Sequence, residues 1–569
     1  MEDNEHTKPK TPKTISKKFI NSKMENFYKL IERGNLELNK HQYDGVQWCL
    51  KNELINSKNF PQFKGGIIAD EMGLGKTLLM IGIMYVNFMP QTLIILPPNL
   101  IQQWEQQIYK ITGHKPLVYY GLNKKNYSSY LHKAPIVLTS YYTLFPQAGK
   151  YSPLFDIKWS RIIFDEGHHL RNKKTQKFKS AKNLTNTSPQ AVKYILTGTP
   201  IQNNNKDFKN LIQILGLNID KKHPIYLEKF IKKYVLLRTK QEVGIQMPPL
   251  SIKDIIVDWE KEKEFSYKLH KPLKKILVIQ NDDLDIEEKE KEKEKEKEKE
   301  KEKEKEKEKE EEEKEKEEEG KQIQQQDNQI EITTNPLVDL LRARQVCILP
   351  KLLKQTFYSF CRSINDNNKN RTSPYDLLKY KKYTPITTTN TTQTPPQTQG
   401  YTCKIDALIQ KVLENKDNNN GKIIFCHFHQ EIDTIMHKLQ KGGIHNIKKY
   451  DGRDNKQTLH NIADKCDVLI LQIQTCCEGL NLQEHFNECY FVSPHWNPSV
   501  EQQAIARCHR FGQKKGVKVF NFIMNNFKDK ITIEKYIKTV QHKKLQLMND
   551  FTKICKNKKK IIKKLIIQN

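Results

Sequence analysis

Short apolar runs alternate with segments of helical length in two separate parts of this chain. The first series is GGIIAD, TLIILPP, APIVLTS, RIIFDE and VKYILTG, between residues 65 and 198, and the second is GKIIFCHF, CDVLILQI, ECYFVSP and VKVFNFI, between residues 421 and 523. Runs that are apolar on both faces and are separated by helices are typical of parallel sheets covered by crossover helices. The pattern predicts an α/β protein with two lobes, residues 37–245 and 401–545.

The remaining segments differ from these lobes in composition. Residues 1–36 are predicted to be a basic flexible arm, and residues 546–569 a basic tail. Residues 246–400 are predicted to be a helical linker region that carries a charged low-complexity insert at 287–321. In this insert Lys and Glu alternate, so i,i+3 pairs are opposite in charge while i,i+4 pairs are alike. The two effects offset each other, and we expect a solvated spacer.

The charge balance indicates a polyanionic partner. The chain has 569 residues and a formal net charge of +30, and the insert contains 20 Glu and 14 Lys, a local balance of −6 that leaves +36 on the rest. Nucleic acid is the first candidate and an acidic membrane surface the second. Basic residues that only keep the surface soluble, or that reflect an AT-rich genome, are the alternative explanation.

Membrane insertion and a zinc site are not expected. No apolar stretch approaches the roughly 20 residues that span a bilayer, and the first residues have no apolar signal core. The eleven cysteines include no Cys-x-x-Cys pair, so we expect reduced thiols and neither a zinc site nor a disulfide framework. The protein is therefore predicted to be soluble and intracellular.

The stretch DEMGLGKTLLMIGIMYV, which begins at Asp70, is a relaxed match to a phosphate loop. Asp70 replaces the usual first glycine, but the backbone N–H groups around Gly73, Gly75 and Lys76 can still bind phosphate oxygens at the start of an apolar helix. Lys76 would reach the β- and γ-phosphates of ATP, and Thr77 would hold magnesium. A glycine turn before a core segment is the alternative interpretation.

Asp165 and Glu166 follow the apolar run RIIF directly. A carboxylate at a strand end can orient magnesium, and its neighbour can position the attacking water, because phosphoryl transfer depends mainly on positioning and on charge neutralisation. A helix cap is the alternative for such a pair. Behind a phosphate loop, the catalytic interpretation is favoured.

Five motifs occur in the order and spacing of the helicase-related Swi/Snf family of DNA-dependent ATPases, which the chain resembles over roughly residues 37–545. The motifs are DEMGLGKT, DEGHH, LTGTPIQNN, TCCEGLNLQ and QQAIARCHRFGQ. The last is the most specific, because it contains the whole family pattern Gln-Ala-x-x-Arg-x-x-Arg-x-Gly-Gln. The resemblance implies two RecA-like lobes with helical insertions between them, and ATP and magnesium as cofactors.

The resemblance also implies roles for individual residues. Gln42, in HQYDGVQW, would read the adenine, and Gln503 would contact the nucleotide. Arg507 and Arg510 would act as arginine fingers that enter from the second lobe and neutralise charge on the transferring phosphate. ATP would then lie between the lobes, so that its hydrolysis moves one against the other.

Other matching segments resemble loops that face nucleic acid or connect it to the ATP site. They are LPPNLIQQW, TSYYTL, Thr197–Pro200, and Thr475 with Gly479–Asn481. Hydroxyls, amides and Asn side chains suit phosphate contacts that hold a strand without reading its sequence. For Trp104 and Trp496, packing between elements is the favoured role.

The chain departs from the family pattern at several positions. Gly167 stands where Ala is common after Asp-Glu, and DEGHHLRN with LTGTPIQNN is similar to a repair-linked subgroup that often carries a zinc ring, which this sequence lacks. Cys476, Cys477 and Glu478 replace the usual Ala-Gly-Gly. VLLRTK (235–240) and LLRARQVCILP resemble the helical connections between the lobes.

The resemblance implies an ATP-dependent translocase on double-stranded DNA that remodels or displaces DNA-bound protein, with nucleosomes among the candidate partners. A helicase that separates strands of RNA or DNA is the first alternative, and a scaffold without catalysis is the second. The expected location is the nucleus, or a viral or nucleoid DNA site. The sequence does not single out a biological target.

Overall fold

The computed structural model of the chain describes residues 16–270, 336–353, 401–453 and 466–556. Some positions inside these ranges are not described, namely 56, 58, 147, 148, 150, 203, 204, 219–223 and 477–479. The predicted Lys/Glu insert lies outside the described residues, as do the first 15 positions.

Where it is described, the first lobe contains seven strands and seven α-helices. The strands are β1 (Gly65–Ile68), β2 (Thr92–Leu96), β3 (Leu117–Val118), β4 (Ile136–Ser140), β5 (Arg161–Phe164), β6 (Val192–Leu196) and β7 (Val235–Leu236). The helices are α1 (Lys17–Arg33), α2 (Lys40–Leu54), α3 (Lys76–Val86), α4 (Ile101–Thr112), α5 (Gln176–Thr187), α6 (Asn205–Ile214) and α7 (Pro224–Tyr234). The strands form one parallel sheet in the order β3-β4-β2-β5-β6-β1-β7.

The central strands of this sheet are buried on both faces. Leu93 and Ile95 pack with Ile162 in one core, and Ile94 packs with Ile163 in the other. Because successive strand residues point to opposite faces, an uninterrupted apolar run fills both cores at once. Each fully buried side chain of this kind contributes roughly 1.5–3 kcal/mol. The strand ends that carry the candidate site are thereby held rigidly.

In its described residues the second lobe contains six strands and, besides the single helical turn Ile473–Cys476, six helices. The strands are β8 (Leu250–Val257), β9 (Gly421–Cys426), β10 (Ile447–Tyr450), β11 (Val468–Gln472), β12 (Phe486–Phe491) and β13 (Val517–Met524). The helices are α8 (Lys263–His270), α9 (Pro336–Ile348), α10 (Cys403–Glu414), α11 (His429–Lys441), α12 (Pro498–Ile505) and α13 (Ile533–Lys556). The strands form a parallel sheet in the order β10-β11-β9-β12-β13-β8.

Two boundaries between the lobes and the linker differ from the prediction. β8 lies in the predicted linker region, but it pairs with β13 along its whole length and is an edge strand of the second sheet. VLLRTK is not a helical connection, since its first two residues form β7 at the edge of the first sheet. The chain thus leaves one sheet at an edge strand and, after the 13 residues 237–249, enters the other at an edge strand that begins at Leu250.

The predicted flexible arm is helical over most of its length. α1 buries Ile20, Met24, Phe27 and Leu30 against the first lobe. These residues recur at three- and four-residue intervals, the spacing of one helical face, but the abundant Lys residues between them hide the pattern. The arm prediction is therefore wrong for residues 17–33.

The predicted basic tail is also helical where it is described. α13 continues to Lys556 and returns to the first lobe, where the ring centroid of Phe551 lies 4.8 Å from that of Phe208 and Ile554 joins the same core. The helix therefore connects the two lobes. Among the described helices, none is long and apolar enough to cross a membrane.

Candidate nucleotide site and nucleic-acid cleft

The predicted phosphate loop connects β1 to α3, which is the strand-loop-helix arrangement that the motif requires. Gly75 caps α3 with φ 76° and ψ 39°, a left-handed conformation that other residues rarely adopt. A Cβ atom at this position would lie 2.6 Å from Nε2 of Gln42, so a larger residue would also clash. The loop therefore leaves the first amides of α3 available to an anion.

Lys76 and Thr77 occupy the first turn of α3. Nζ of Lys76 donates to the carbonyl oxygen of Asp70 at 2.7 Å, so the ammonium group lies over the loop. Both side chains are half-buried at the mouth of the loop. This placement fits the predicted contact of Lys76 with phosphate groups and of Thr77 with magnesium.

The carboxylate of Asp70 forms an ion pair with Arg238, a residue that the sequence did not single out. Nε of Arg238 donates to Oδ1 of Asp70 at 3.1 Å, and Nη2 of Arg238 pairs with Oδ2. Arg238 also donates to the carbonyl oxygen of His41. In this structure the carboxylate of Asp70, which is fully buried, holds Arg238 beneath the loop. Its predicted contact with the nucleotide stays a prediction.

Asp165 and Glu166 lie at the carboxyl end of β5, beside the phosphate loop. Asp165 is buried, and its Oδ2 accepts from Nε1 of Trp104 at 2.8 Å while its Oδ1 accepts the backbone N–H of Glu166 at 2.9 Å. Glu166 has φ 48° and ψ 49°, a left-handed conformation that is strained for a residue with a Cβ. Nδ1 of His168 lies 3.1 Å from Oε2 of Glu166.

The two carboxyl groups have opposite pKa shifts. Burial, followed by the charge of Glu166, raises the pKa of Asp165 above its ordinary value. Burial also opposes ionisation of Glu166, but His168, Lys76 and Arg507 outweigh it and lower the pKa of that carboxyl. A bound divalent cation would favour the ionised form of both groups. The buried carboxylate pair and the Thr77 hydroxyl are hard oxygen donors, so the donor set fits magnesium.

Gln42 lies next to the phosphate loop, as the resemblance implied. It is buried in α2, and its Oε1 has no hydrogen-bond partner among the described residues. A buried acceptor without a donor is costly, which makes this atom suitable for the amino group of a purine. This oxygen is therefore available for the adenine contact, which stays a prediction.

The two predicted arginine fingers follow α12 in the second lobe. Nη1 of Arg507 donates to the carbonyl oxygen of Leu480 at 3.4 Å, and Arg510 donates to Oδ1 of Asn481. Burial, followed by the charge of Arg507, lowers the pKa of Arg510 to about 10. Asn481 accepts from this arginine, and its predicted contact with nucleic acid stays a prediction.

A basic cleft of about 1140 Å³ lies between the lobes, next to Glu166. Its basic lining residues are His168, His169, Arg171, Lys174, Lys177 and Lys206 from the first lobe and His495 and Lys544 from the second. Neutral polar side chains interleave with them, and the carboxylate of Asp207 also lines the cleft. Gln503, predicted as a nucleotide contact, lies in this lining. The arrangement of cations, amides and hydroxyls suits phosphate groups.

Two of the segments predicted to face nucleic acid, LPPNLIQQW and TSYYTL, are bonded to Asp165. Trp104 packs in a core of the first lobe, as favoured, but it also donates to Asp165. The hydroxyl of Tyr141, in TSYYTL, donates to the backbone oxygen of Asp165 at 2.6 Å. Nδ2 of Asn497, in HWNPS, donates to Oε1 of Gln202 in the first lobe at 3.1 Å.

Sequence reasoning assigned no individual role to two basic residues of the inter-lobe segment, Arg238 and Lys240. Both belong to VLLRTK, which was treated only as a connection between the lobes. The signal was present, because a buried acidic residue in a phosphate loop needs a cationic partner elsewhere in the chain. The partner's position 168 residues away could not be read from spacing.

Two parallel sheets that bring a phosphate loop, a strand-end carboxylate pair and two arginines close together are typical of a helicase-like ATPase with two lobes. The family models agree with this class. The SNF2-related domain matches residues 41–352, and the helicase conserved C-terminal domain matches residues 403–512. The chain therefore belongs to the SNF2-related family, and the predicted family, fold class and enzyme class are confirmed.

Curated relatives are similar over most of this chain. A probable global transactivator of Orgyia pseudotsugata multicapsid polyhedrosis virus is 24% identical over 540 residues, which is 90% of each chain. Transcription termination factor 2 of Drosophila melanogaster is 24% identical over 90% of this chain. DNA repair protein RAD5 of Eremothecium gossypii is 25% identical over 85% of this chain. The chain spans only 57% and 56% of the length of these last two relatives.

Two proteins are among the matches of this chain to solved structures. One is the Sulfolobus solfataricus SWI2/SNF2 ATPase core in complex with dsDNA, with a TM-score of 0.34, 19% identity and coverage of 90% of this chain and 92% of that chain. The other is the Hef helicase domain of Pyrococcus furiosus, with a TM-score of 0.48, 14% identity and coverage of 88% and 98%.

Proposed function

We propose that this protein is an ATP-dependent translocase on double-stranded DNA that remodels or displaces DNA-bound protein. The basic cleft beside Glu166 is the observation that carries the proposal. Both lobes line this cleft, so a duplex held in it would contact both. A change in the angle between the lobes would then move one contact relative to the other along the DNA.

The nucleotide site supports the ATPase half of the proposal. Lys76 would bind the terminal phosphates, Glu166 would position water, and Arg507 with Arg510 would neutralise the transition state. Thr77 and Asp165 would hold magnesium, which when bound supplies charge neutralisation at the phosphate oxygens. Because the arginines lie on the second lobe, this arrangement is complete only when the lobes meet.

Hydrogen bonds support coupling between the cleft and the nucleotide site. Trp104 and Tyr141 belong to segments proposed to follow the nucleic acid, and both donate to Asp165. Movement of either segment would therefore shift the carboxylate that is proposed to hold magnesium. A misplacement of about 1 Å in such a site can lower the rate roughly 100-fold.

The names of two relatives favour a role on DNA, one in repair and the other in transcription termination. A lining of cations and amides favours backbone contacts, which serve a duplex as well as a single strand. We propose the nucleus, or a site of viral DNA, as the location. Nucleosomes and other DNA-bound proteins are the proposed targets.

Steady-state ATP hydrolysis without nucleic acid, with single-stranded DNA, with duplex DNA and with RNA tests the proposal. Duplex DNA should stimulate the rate most, at matched moderate salt because phosphate-driven binding depends steeply on ionic strength. Stimulation chiefly by RNA or single strands would favour a helicase. No hydrolysis under any condition would favour a scaffold and overturn the proposal.

A variant of the cleft sharpens this test. Arg171→Ala with Lys174→Ala removes two cations from the lining, and duplex affinity should fall with a salt slope that is smaller by about two units. Lys115→Ala, an exposed lysine elsewhere on the first lobe, is the matched control. Equal salt slopes for the two variants would place the DNA outside this cleft.

A further inference from the structure

The segment that joins the two sheets runs alongside the phosphate loop. It begins after β7, and its residues Arg238 and Lys240 contact Asp70 and Glu71 in turn. Arg238 has its charge neutralised inside the first lobe. Lys240 has contacts in both lobes, which makes it the residue where the segment could transmit a movement.

Lys240 lies between the phosphate loop and the arginine segment of the second lobe. Its backbone N–H donates to Oε2 of Glu71 at 2.9 Å, and its Nζ lies 3.4 Å from Oε1 of Glu71. The same Nζ donates to the carbonyl oxygen of His509 at 3.4 Å. The residue is only 9% exposed, so water competes little for its ammonium group.

His509 stands between the two predicted arginine fingers and is held a second time by the same segment. Its ring Nε2 lies 2.8 Å from the carbonyl oxygen of Pro248 and donates to it. Pro248 and Lys240 belong to the one stretch between β7 and β8. This stretch therefore forms hydrogen bonds with both the side chain and the backbone of His509.

Lys240 and the second arginine converge on the same point of the phosphate loop. A Cβ atom built on Gly73 would lie 3.4 Å from Cε of Lys240 and 4.0 Å from Cβ of Arg510. Gly73 has φ +91°, so the loop presents its bare backbone to both residues. The ammonium group of Lys240 and the base of the Arg510 side chain thus lie next to the loop where the phosphates are proposed to bind.

The geometry points to Lys240 as a positioning residue that holds the arginine segment of the second lobe against the phosphate loop. This inference rests on the proposed function, since it gives the position of Arg507 and Arg510 a catalytic consequence. With the Lys240 ammonium in place, Glu71 and the His509 carbonyl share one cation. Without it, the arginine segment keeps only the bond from His509 to Pro248 and the contacts of its own lobe.

Lys240→Met removes the charge and keeps most of the apolar stem. We expect kcat with duplex DNA to fall about ten-fold while KM for ATP changes less than about two-fold, because the arginine segment loses its position and the phosphate loop stays intact. Lys240→Arg should restore most of the rate. Lys253→Met, at an exposed lysine of β8, is the matched control and should leave both parameters unchanged.

A double-mutant cycle separates positioning from a general loss of structure. Glu71→Gln combined with Lys240→Met should lower kcat no further than Lys240→Met alone, because both changes break one contact. If the kcat losses of the two single variants multiply in the double variant, the inference is overturned. A kcat for Lys240→Met within about two-fold of the wild type would also overturn it.

Hydrogen exchange without nucleotide tests the contact independently of hydrolysis. Amide exchange in the peptide spanning residues 505–512 should rise in Lys240→Met, while exchange in β13 stays unchanged. If the wild type hydrolyses no ATP but this rise is seen, the proposed function fails and the contact stands. If hydrolysis is stimulated by DNA but exchange is unaltered, the inference fails alone.

Discussion

The two halves of the candidate nucleotide site are built differently. In the first lobe, Lys76 is bonded to the loop that carries it, and Asp165 is bonded to Trp104 of the same lobe. In the second lobe, Arg507 and Arg510 donate to Leu480 and Asn481 of their own lobe, and their position beside the phosphate loop depends on how the two lobes are placed. One half is preorganised for binding, and the other supplies charge only when the lobes meet.

This difference implies that nucleotide binding and turnover can be separated by mutation. Changes in the first lobe should affect both, whereas changes in the arginine segment should affect turnover alone. Lys240 and α13 are then the connections that keep the second half within reach of the first.

Removing the phosphate-loop lysine should have the largest effect. Lys76→Ala takes away the cation over the loop, and DNA-stimulated hydrolysis should fall at least about 1000-fold with nucleotide binding strongly weakened. Glu166→Gln should abolish hydrolysis equally but keep the nucleotide bound. Duplex binding, measured by fluorescence anisotropy, should stay largely intact in both. Retained turnover in both variants would refute the assigned site.

Arg510→Ala should distinguish most clearly between the two halves of the nucleotide site. The expected loss is about 100-fold in kcat, with nucleotide affinity within about three-fold of the wild type, because the arginine acts on charge that develops during phosphoryl transfer. Binding of a fluorescent ATP analogue and steady-state kinetics measure the two quantities. Arg453→Ala, a surface arginine of the same lobe paired with Asp433 and Asp451, is the control. Equal losses of affinity and kcat would mean that the halves are not separable.

Trp104→Phe should have a smaller effect, on the first-lobe half of the nucleotide site. It keeps the packing but removes the donor to Oδ2 of Asp165, so we expect kcat to fall about three- to ten-fold and the magnesium concentration for half-maximal nucleotide binding to rise. Trp159→Phe is the control, because this tryptophan is also buried and donates to the backbone oxygen of Leu154. If both variants behave alike, the bond to Asp165 has no special role.

A buried histidine of the second lobe makes a weaker prediction about stability. Burial lowers the pKa of His270, next to the second sheet, to about 4, below the ordinary value of 6.5. The unfolded chain therefore binds this proton first, and the stability due to neutral His270 is complete above pH 6.5 and lost as the pH falls toward 4. Between pH 7 and pH 5 the wild type should lose about 2 kcal/mol more than His270→Gln.

Urea unfolding at the two pH values measures this difference. Burial raises the pKa of Glu431 in the same lobe to about 7, which acts with the opposite sign, so the comparison with a variant is needed to isolate one group. His445→Gln, at an exposed histidine, should match the wild type. An unchanged pH dependence in His270→Gln would show that this histidine takes up its proton in the folded state.

Much of the fold was readable from the sequence because strands buried on both faces are apolar without interruption. The runs GGII, TLIIL, RIIF and VKYIL became central strands, and the glycines and lysine of the phosphate loop follow one of them. β8 was missed because an exposed edge strand, LSIKDIIV, has no such run. α1 and the end of α13 were missed because lysines dilute their apolar faces.

The sequence by itself determined the class of this protein, since glycine at a left-handed helix start and carboxylates after a buried strand are local requirements. Only the tertiary structure showed that Arg238 binds Asp70, that Trp104 and Tyr141 donate to Asp165, and that Lys240 reaches His509. These partners lie far apart in the chain, and their pairing depends on how the strands and lobes are placed. Local spacing carries no information about that placement, because it arises from packing of the cores.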